Sequence, residues 1–325
     1  MKKNIAIVMG GYSSEAKISL LSGNVVYHSL DKEKYNAFRI HILKDKWVYV
    51  DESEVEHPII MEDFTAVVNG YKVKFDCVFN AIHGHPGEDG IILAYFELLK
   101  LKHTSAPSYQ MALTFNKRDC LSVVKAYDIK VANSFSLNLG DKIDEDRIVK
   151  KVGLPCFVKA NRAGSSFGIS KVYKKEQLKK AIEESFEEDD EIIIESFLDG
   201  TEVSVGVIKF KGETKVLPIT EIVSENDFFD YEAKYQGKSE EITPARLTDT
   251  ETKRVNEVAK KVYDVLRMTG FSRSEYILIE GEPHLLEMNT VPGLTAESLL
   301  PQQAKEAGIS LKDLFGSAIE TAMKN

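Results

Sequence analysis

Cysteine is scarce in this chain. Three residues in 325, Cys77, Cys120 and Cys156, lie far apart and are odd in number. That excludes a disulfide-built scaffold and a paired-cysteine metal site. Cys77 and Cys156 sit inside apolar stretches (FDCVFN, LPCFVK), as buried thiols of a reducing compartment do. No apolar run reaches the roughly 20 residues of a membrane helix, and no secretory leader is read. The expectation is a cytoplasmic protein with no membrane partner. Positive charge is in deficit, 42 Lys and Arg against 51 Asp and Glu, for a net charge of −9. That argues against general nucleic-acid binding. Repeats, low-complexity tracts and the GxGxxG fingerprint are missing, so a dinucleotide oxidoreductase is the weakest reading. The densest charge run, EESFEEDDE at 183–191, reads as a solvated helix end and loop.

What is present describes an ordinary globular protein, 43% hydrophobic and 29% charged, long enough for about two or three domains. The first hundred residues alternate strand and helix. KNIAIVM, FRIHIL and FDCVFNAI read as strands, and GIILAYFELLKL as a helix. In SSEAKISLLSGNVVYHSL the residues Ile18, Leu21, Val25 and Val26 fall near helical spacing, with Gly23 a blemish. This is a doubly wound α/β pattern, whose ligands gather beyond the carboxyl ends of the strands. MGGYSSE (9–15) and HGHPGEDG (83–90) occupy such ends. Glu15 opens a helix, where a carboxylate also simply suits the helix dipole.

Further on, FNKRDCLSVVKAYDI reads as a helix with Lys117 at its start. GLPCFVKANRAGSSFGISKVY reads as two strands joined by a glycine-containing loop, with Lys159 ending the first. Small residues let backbone N–H groups approach phosphate oxygens, so this loop is read as phosphate-binding rather than as a plain hairpin turn. EIIIESFLDGTEVSVGV is a strand, a short apolar hinge and an alternating strand. Residues 224–243 form about twenty polar and aromatic positions without a clean period, read as a closing lid. TKRVNEVAKKVYDVLRMTG is an amphipathic helix, and FSRSEYILIEGEPHLLEMNTVPG a hairpin turning at Gly281. In LLEMNTVPGL, Leu286 and Met288 alternate with Glu287 and Asn289. Taken alone, that is equally a solvent-facing strand end and a metal or phosphate site. A pairing that sets 275 near 287 would gather Arg273, Glu275, Glu287 and Asn289. Two carboxylates together call for a cation, and such oxygen ligands suit Mg²⁺.

These blocks, with ITPARL and LLEMNTVPGLTAESLLPQQA added, occur in one order along nearly the whole chain, and together they resemble the D-alanine–D-alanine ligases. The resemblance implies an ATP-grasp fold with an N-terminal doubly wound domain. It divides the chain into 1–102, 103–190 and 191–325, the last with lid 224–243. It implies ATP-dependent joining of two D-alanine molecules through an acyl phosphate, two Mg²⁺ or Mn²⁺ ions, and a homodimer. By resemblance, Glu15 would hold the first D-alanine's ammonium, with Ser165 and Tyr235 in one hydrogen-bonded set. Lys117 and Lys159 would meet ATP phosphates, Glu195 and Leu198 the adenine, Glu202 the ribose. Lys234 would face the transferred phosphate. Arg273 and the Gly293 N–H would stabilise an oxyanion, and Ser298 would bind the second carboxylate. Glu275, Glu287 and Asn289 would hold metal, and His83 and Glu88 would line the substrate side.

The chain departs from the family pattern at Ala16, Ser196, Phe229 and Glu275, where histidine, lysine, tyrosine and aspartate are usual. Two other functions compete: a depsipeptide ligase taking D-lactate, against which Tyr235 argues, and a non-catalytic nucleotide-binding regulator, against which the retained lysines, Arg273 and metal ligands argue.

Overall fold

The computed structural model describes residues 2–164, 168–224 and 239–324. Three sheets build it. The first begins with β1 (Lys3–Gly10), buried along most of its length, followed by α1 (Ala16–Ser29) and β2 (Tyr35–Ile42). Next come β3 (Trp47–Val50), β4 (Glu56–Ile60), β5 (Thr65–Val68), β6 (Tyr71–Val73) and β7 (Cys77–Asn80). Their order is β6-β5-β4-β3-β2-β1-β7. Only β2, β1 and β7 run parallel; β3 to β6 extend the sheet antiparallel, in a stretch where short strands gave no sequence signal. The helix α1 corrects two readings. Leu21 is 59% exposed, and the buried face is Ser19, Ser22, Gly23 and Val26. Gly23 is no blemish: a Cβ there would lie 2.6–2.9 Å from the Met9 side chain, so its absence lets α1 lie close on β1.

The chain continues through α2 (Ile91–Leu98), α3 (Ser108–Phe115) and α4 (Lys117–Lys125). Then β8 (Ser134–Asn138), α5 (Glu145–Val152), β9 (Cys156–Ala160), β10 (Ile169–Val172), α6 (Lys175–Phe186) and β11 (Glu191–Ser196) follow. The second sheet is antiparallel, in the order β10-β9-β11-β8. Period-two alternation gives it two faces. Cys156, Val158, Val172, Ile192 and Ile194 pack against Ile148, Val152, Leu178 and Ile182 of α5 and α6. Phe157, Lys159, Lys171, Ile193 and Glu195 alternate with them and face the other way.

The third sheet contains β12 (Thr201–Phe210), β13 (Glu213–Val216), β14 (Thr220–Ser224), β15 (Ser239–Ile242), β16 (Phe271–Ile279) and β17 (Glu282–Asn289), ordered β15-β14-β12-β16-β17 with β13 beside β12. Residues 239–242 of the stretch read as a lid are therefore strand, as is Ser224 at its start. Between β15 and β16 lies α7 (Asp249–Val265), started by a capping box in which Thr248 and Glu251 bind each other's backbone N–H. Leu299–Glu306 forms α8 and Leu311–Lys324 forms α9. One apolar cluster joins the first sheet to α2, α3, α4, α7 and the third sheet. A second gathers Ile5, Ile7, Met9 and Phe79 of β1 and β7, Val26 and Leu30 around α1, and Leu314, Phe315, Ala318 and Ile319 of α9, whose Phe315 meets Phe79 edge-on.

All three thiols are buried, and burial pushes Cys77 and Cys120 up to about 12. The acidic run at 183–191 is not wholly solvated. The Asp189 side chain is only 6% exposed, because it receives the Arg162 guanidinium at 2.5 Å and the Arg162 backbone N–H at 2.7 Å.

Candidate active site

The hairpin of β16 and β17 sets Glu275 opposite Glu287 and Arg273 opposite Asn289, the pairing that the sequence reading posed as a condition for the site. One detail differs. A β-bulge lies between Glu275 and Tyr276: Glu275 opposes Glu287, but Tyr276 opposes Leu285, so Leu286 is the extra residue. The bulge reverses the phase of the strand. Leu285 and Met288 are the core residues and Leu286 is only half-buried. Leu285 and Glu287, two apart, thereby serve opposite faces.

Cations meet these carboxylates. The Lys117 Nζ, at the start of α4, is 3.2 Å from Glu287 Oε2 and donates to the Ala163 carbonyl at 2.8 Å. Arg273 donates to Ser204 Oγ at 3.0 Å and forms a short ion pair with Glu275. Burial opposes the charge of Arg273, but Glu275, Glu287 and Glu241 around it outweigh that and raise its pKa. From the second sheet, Lys159 Nζ reaches Glu195 Oε2 at 2.8 Å, with Glu195 itself 2% exposed. Burial again works against the ammonium, and Glu195, Glu287 and Glu202 raise its pKa above the ordinary lysine value. The third sheet thus supplies Glu202, opposite Ile277, and Glu287, while the second supplies Lys159 and Glu195. Leu198 is half-buried in the turn between β11 and β12.

Do these donors suit a divalent cation? They are hard oxygens, and Glu275 is buried. The amide nitrogen assigned to Asn289 is buried without a hydrogen-bond partner, so oxygen in that place, aimed at a cation, is the better chemistry. Among the described residues no three His, Cys, Asp or Glu converge on one point. The protein set is two carboxylates and one amide, which leaves phosphate oxygens and water to complete a shell, the usual arrangement for Mg²⁺. The residues fit.

The turn after β17 is held from the first domain. Glu88 accepts the N–H groups of Gly84, Thr290 and Val291 at 3.2, 3.1 and 3.3 Å. Burial first, and the charge of Glu15 second, push its carboxyl up to about 7. Buried His83 lies 2.6 Å from the Val291 carbonyl through Nδ1, which therefore carries the proton. Its Nε2 then accepts from Ser22 Oγ at 2.9 Å, and Ser22 Oγ accepts the Leu294 N–H at 3.3 Å. Burial lowers the pKa of His83, in keeping with a neutral ring. Within this turn a Cβ on Gly293 would lie 2.6 Å from Ser298 Oγ, so the glycine lets Ser298, the N-cap of α8, approach. Glu15 is the N-cap of α1. A Cβ on Gly164 would lie 2.9 Å from its Oε2, so the glycine loop of the second sheet comes to this carboxylate. Ser165, Lys234, Tyr235 and Phe229 lie outside the described residues.

Sequence reading passed over Ser204, which anchors Arg273, because a serine inside an alternating strand carries no signal of its own. It also passed over Lys171, whose Nζ lies 4.1 Å from the centre of the Phe197 ring at the hinge. Phe157 and Lys171 are directly opposed in the register of β9 and β10.

The site joins Lys159 and Glu195 of the second sheet, Glu202, Arg273, Glu275 and Glu287 of the third, and Lys117 of α4. Two family profiles match the chain: the one described as D-ala D-ala ligase N-terminus at residues 4–106, and the one described as D-ala D-ala ligase C-terminus at residues 123–320. The chain belongs to the D-alanine–D-alanine ligase family. It is 69% identical over 321 residues to the D-alanine–D-alanine ligase of Flavobacterium johnsoniae, covering 99% of each chain. It is 57% identical over 323 residues to that of Christiangramia forsetii, again covering 99% of each. Among solved structures it resembles the D-alanyl-alanine synthetase A of Vibrio cholerae, with TM-score 0.89, 26% identity and coverage of 100% and 99%. It also resembles the D-Ala:D-Ser ligase of Enterococcus faecalis, with TM-score 0.86, 30% identity and coverage of 98% and 99%. The fold of this ligase-family chain is accordingly ATP-grasp, α/β in class, with an N-terminal α/β domain.

Proposed function

We propose that this chain joins two D-alanine molecules to D-alanyl-D-alanine at the expense of ATP, for peptidoglycan precursor synthesis. The observation that carries the reading is the Arg273–Glu275–Glu287–Asn289 rectangle, with Lys117 paired to Glu287 and Lys159 held by Glu195 within reach of the Glu287 charge, in a chain 69% identical to a D-alanine–D-alanine ligase. The reaction follows from charge. A carboxylate is a poor electrophile; transfer of the γ-phosphoryl group of ATP to one of its oxygens gives an acyl phosphate and ADP. The amine of the second D-alanine attacks that carbonyl, loses a proton, and phosphate leaves. The lysines orient and neutralise phosphate oxygens, since such transfers are catalysed mainly by positioning and charge. Arg273 and the Gly293 N–H are the donors for the tetrahedral oxyanion. Glu15, with Ser165 and Tyr235, holds the first substrate's ammonium; Ser298 takes the second carboxylate; Lys234 faces the transferred phosphate. Glu195 and Leu198 meet adenine, and Glu202 meets ribose. Glu275, Glu287 and Asn289 would hold two Mg²⁺ or Mn²⁺ ions, which when bound supply positive charge against the phosphates.

The three-unit division at 1–102, 103–190 and 191–325 belongs to the same proposal, although β11 (Glu191–Ser196) lies between β9 and β8 inside the second sheet, so that sheet runs on past 190. So do a homodimer and a cytoplasmic location; among the described residues no helix is long and apolar enough to cross a membrane. The deciding experiment is phosphate release from ATP with D-alanine, L-alanine or D-lactate as acceptor. Release with D-alanine and formation of the dipeptide are expected. Release only with D-lactate would favour the depsipeptide reading, and none with any acceptor the non-catalytic one.

A further inference from the structure

Asn161 is a polar residue with no exposed surface, set where the second sheet meets α4. Each of its hydrogen-bonding groups has a use. Its backbone N–H donates to the Glu191 carbonyl at 3.0 Å, and its carbonyl accepts the Lys117 N–H at 3.3 Å. Its side-chain Oδ1 accepts the Arg118 N–H at 2.8 Å, and Nδ2 donates to Glu191 Oε2 at 2.8 Å. Glu191 is held in turn by the Arg118 guanidinium at 3.0 Å and the Asn116 amide at 3.3 Å. Asn116 Oδ1 takes the next helix N–H, that of Asp119, at 3.0 Å.

Two consequences follow. The first three N–H groups of α4 are all occupied by protein acceptors, two of them on Asn161, so this helix start does not present them to an anion in the way open N-termini do. The anion-seeking group at this point is the Lys117 side chain. That side chain is tied back to the segment Asn161 begins, because its Nζ donates to the Ala163 carbonyl, two residues on. The 161–163 segment thus grips Lys117 at backbone and at ammonium, and points it at Glu287.

We propose that Asn161 is a positioning residue for nucleotide binding: it fixes the start of α4 against β11, and so fixes where the Lys117 ammonium stands relative to Glu287. The inference rests on the ligase reading only in taking a nucleotide phosphate as what Lys117 meets. A role confined to folding would be felt as lower melting temperature and a smaller active fraction, with unchanged affinity in the molecules that remain folded.

Affinity is therefore measured directly, by titrating a non-hydrolysable ATP analogue with Mg²⁺ into the full chain, beside kcat and the KM for ATP. For Asn161→Ala the analogue's Kd and the KM are expected to rise about tenfold, the scale of one lost hydrogen bond to a charged group, while kcat at saturating nucleotide moves far less. A second pair of variants guards against a failure to fold. Asn161→Asp places two carboxylates face to face and should weaken binding at least as much. Adding Glu191→Gln reverses donor and acceptor across the same contact, since Gln can donate to Asp; it gives up the longer Asn116 bond to the same atom, and should recover part of the loss. A folded Asn161→Ala protein with the parent's Kd overturns the proposal. So does a double variant that binds no better than Asn161→Asp alone. Failure of the ligase reading is distinguishable: a parent that binds the analogue but makes no dipeptide, with the variants still weakened, removes the reaction and leaves Asn161 its role.

Discussion

At the scale of single residues, the site is a set of charges that neutralise one another within each sheet, as Lys159 with Glu195 and Arg273 with Glu275, and between α4 and the third sheet, as Lys117 with Glu287. Glu287 is the most exposed to test, because it meets Lys117 and is also a proposed metal ligand. Glu287→Gln keeps the shape and removes the charge. The variant should fold with a melting temperature near the parent's and lose most of its turnover in the phosphate-release assay; near-parental turnover in a folded protein would take Glu287 out of that role. Glu88 gives a second test, in pH. Its carboxyl rises from the ordinary 4.5 to about 7 in the fold. Between those values the unfolded chain has released a proton that the folded chain retains, so stability falls as pH rises through that window. Glu88→Gln cannot titrate, and its amide oxygen can still accept the Thr290 and Val291 N–H groups. Denaturation midpoints from pH 4.5 to 8 should therefore decline less steeply in the variant than in the parent; parallel profiles would contradict the assignment. At this scale the sequence was legible where chemistry is carried by charge. Arg273, Glu275, Glu287, Lys117 and Lys159 stood out by type and spacing, whereas Asn161, Ser204 and Ser22 act through hydrogen bonds that only folding brings into reach.

At the scale of elements, legibility followed length. The amphipathic α7 and the hairpin of β16 and β17 are long enough for their periods to show, but alternation does not set register: regular pairing back from the turn would put 275 opposite 286. The bulge at Leu286, which brings 287 there instead, was not legible, since it depends on which residue the partner strand leaves unpaired. Strands of three to five residues at 47–73 were likewise invisible, because a few alternating positions do not define a period. Gly23 was visible but misread. A glycine in mid-helix costs helix propensity, and only the Met9 side chain beneath it shows why it is there. Gly23→Ala should favour the isolated helix yet destabilise the protein by about 1–3 kcal/mol through overpacking. Urea denaturation measures this, and a more stable variant would show that α1 can move away from β1 at no cost.

At the scale of the whole molecule, the substrate-side loops of the first domain and the turn after β17 form one structure. Glu88, His83 and Ser22 bind Thr290, Val291 and Leu294, so the segment carrying Gly293 depends on residues about two hundred and more positions earlier. The same holds for the core. Leu314, Phe315, Ala318, Ile319 and Ala322 of α9 are buried in the cluster that contains β1, and their burial is worth on the order of 5–10 kcal/mol. That is comparable to the whole net stability of a domain. A chain ending after Ser310 should therefore be recovered mostly as aggregate; a soluble product with a cooperative melting transition would show that the first domain closes without α9.

The packing of α9 on β7 has a consequence for the order of synthesis. Helix α1 can cover Met9 of β1 as soon as it is made, but Phe79 of β7 leaves the ribosome more than two hundred residues before Phe315, the ring it meets edge-on at 5.6 Å. At about 5–20 residues per second, that side of β7 waits on the order of 10–50 s for its partner. During translation the first domain lacks one of its covering helices, and a holding chaperone is the natural companion for that interval. A ribosome stalled before Leu311 would release a chain that has most of the acidic and basic groups of the site, but no finished cover over Phe79.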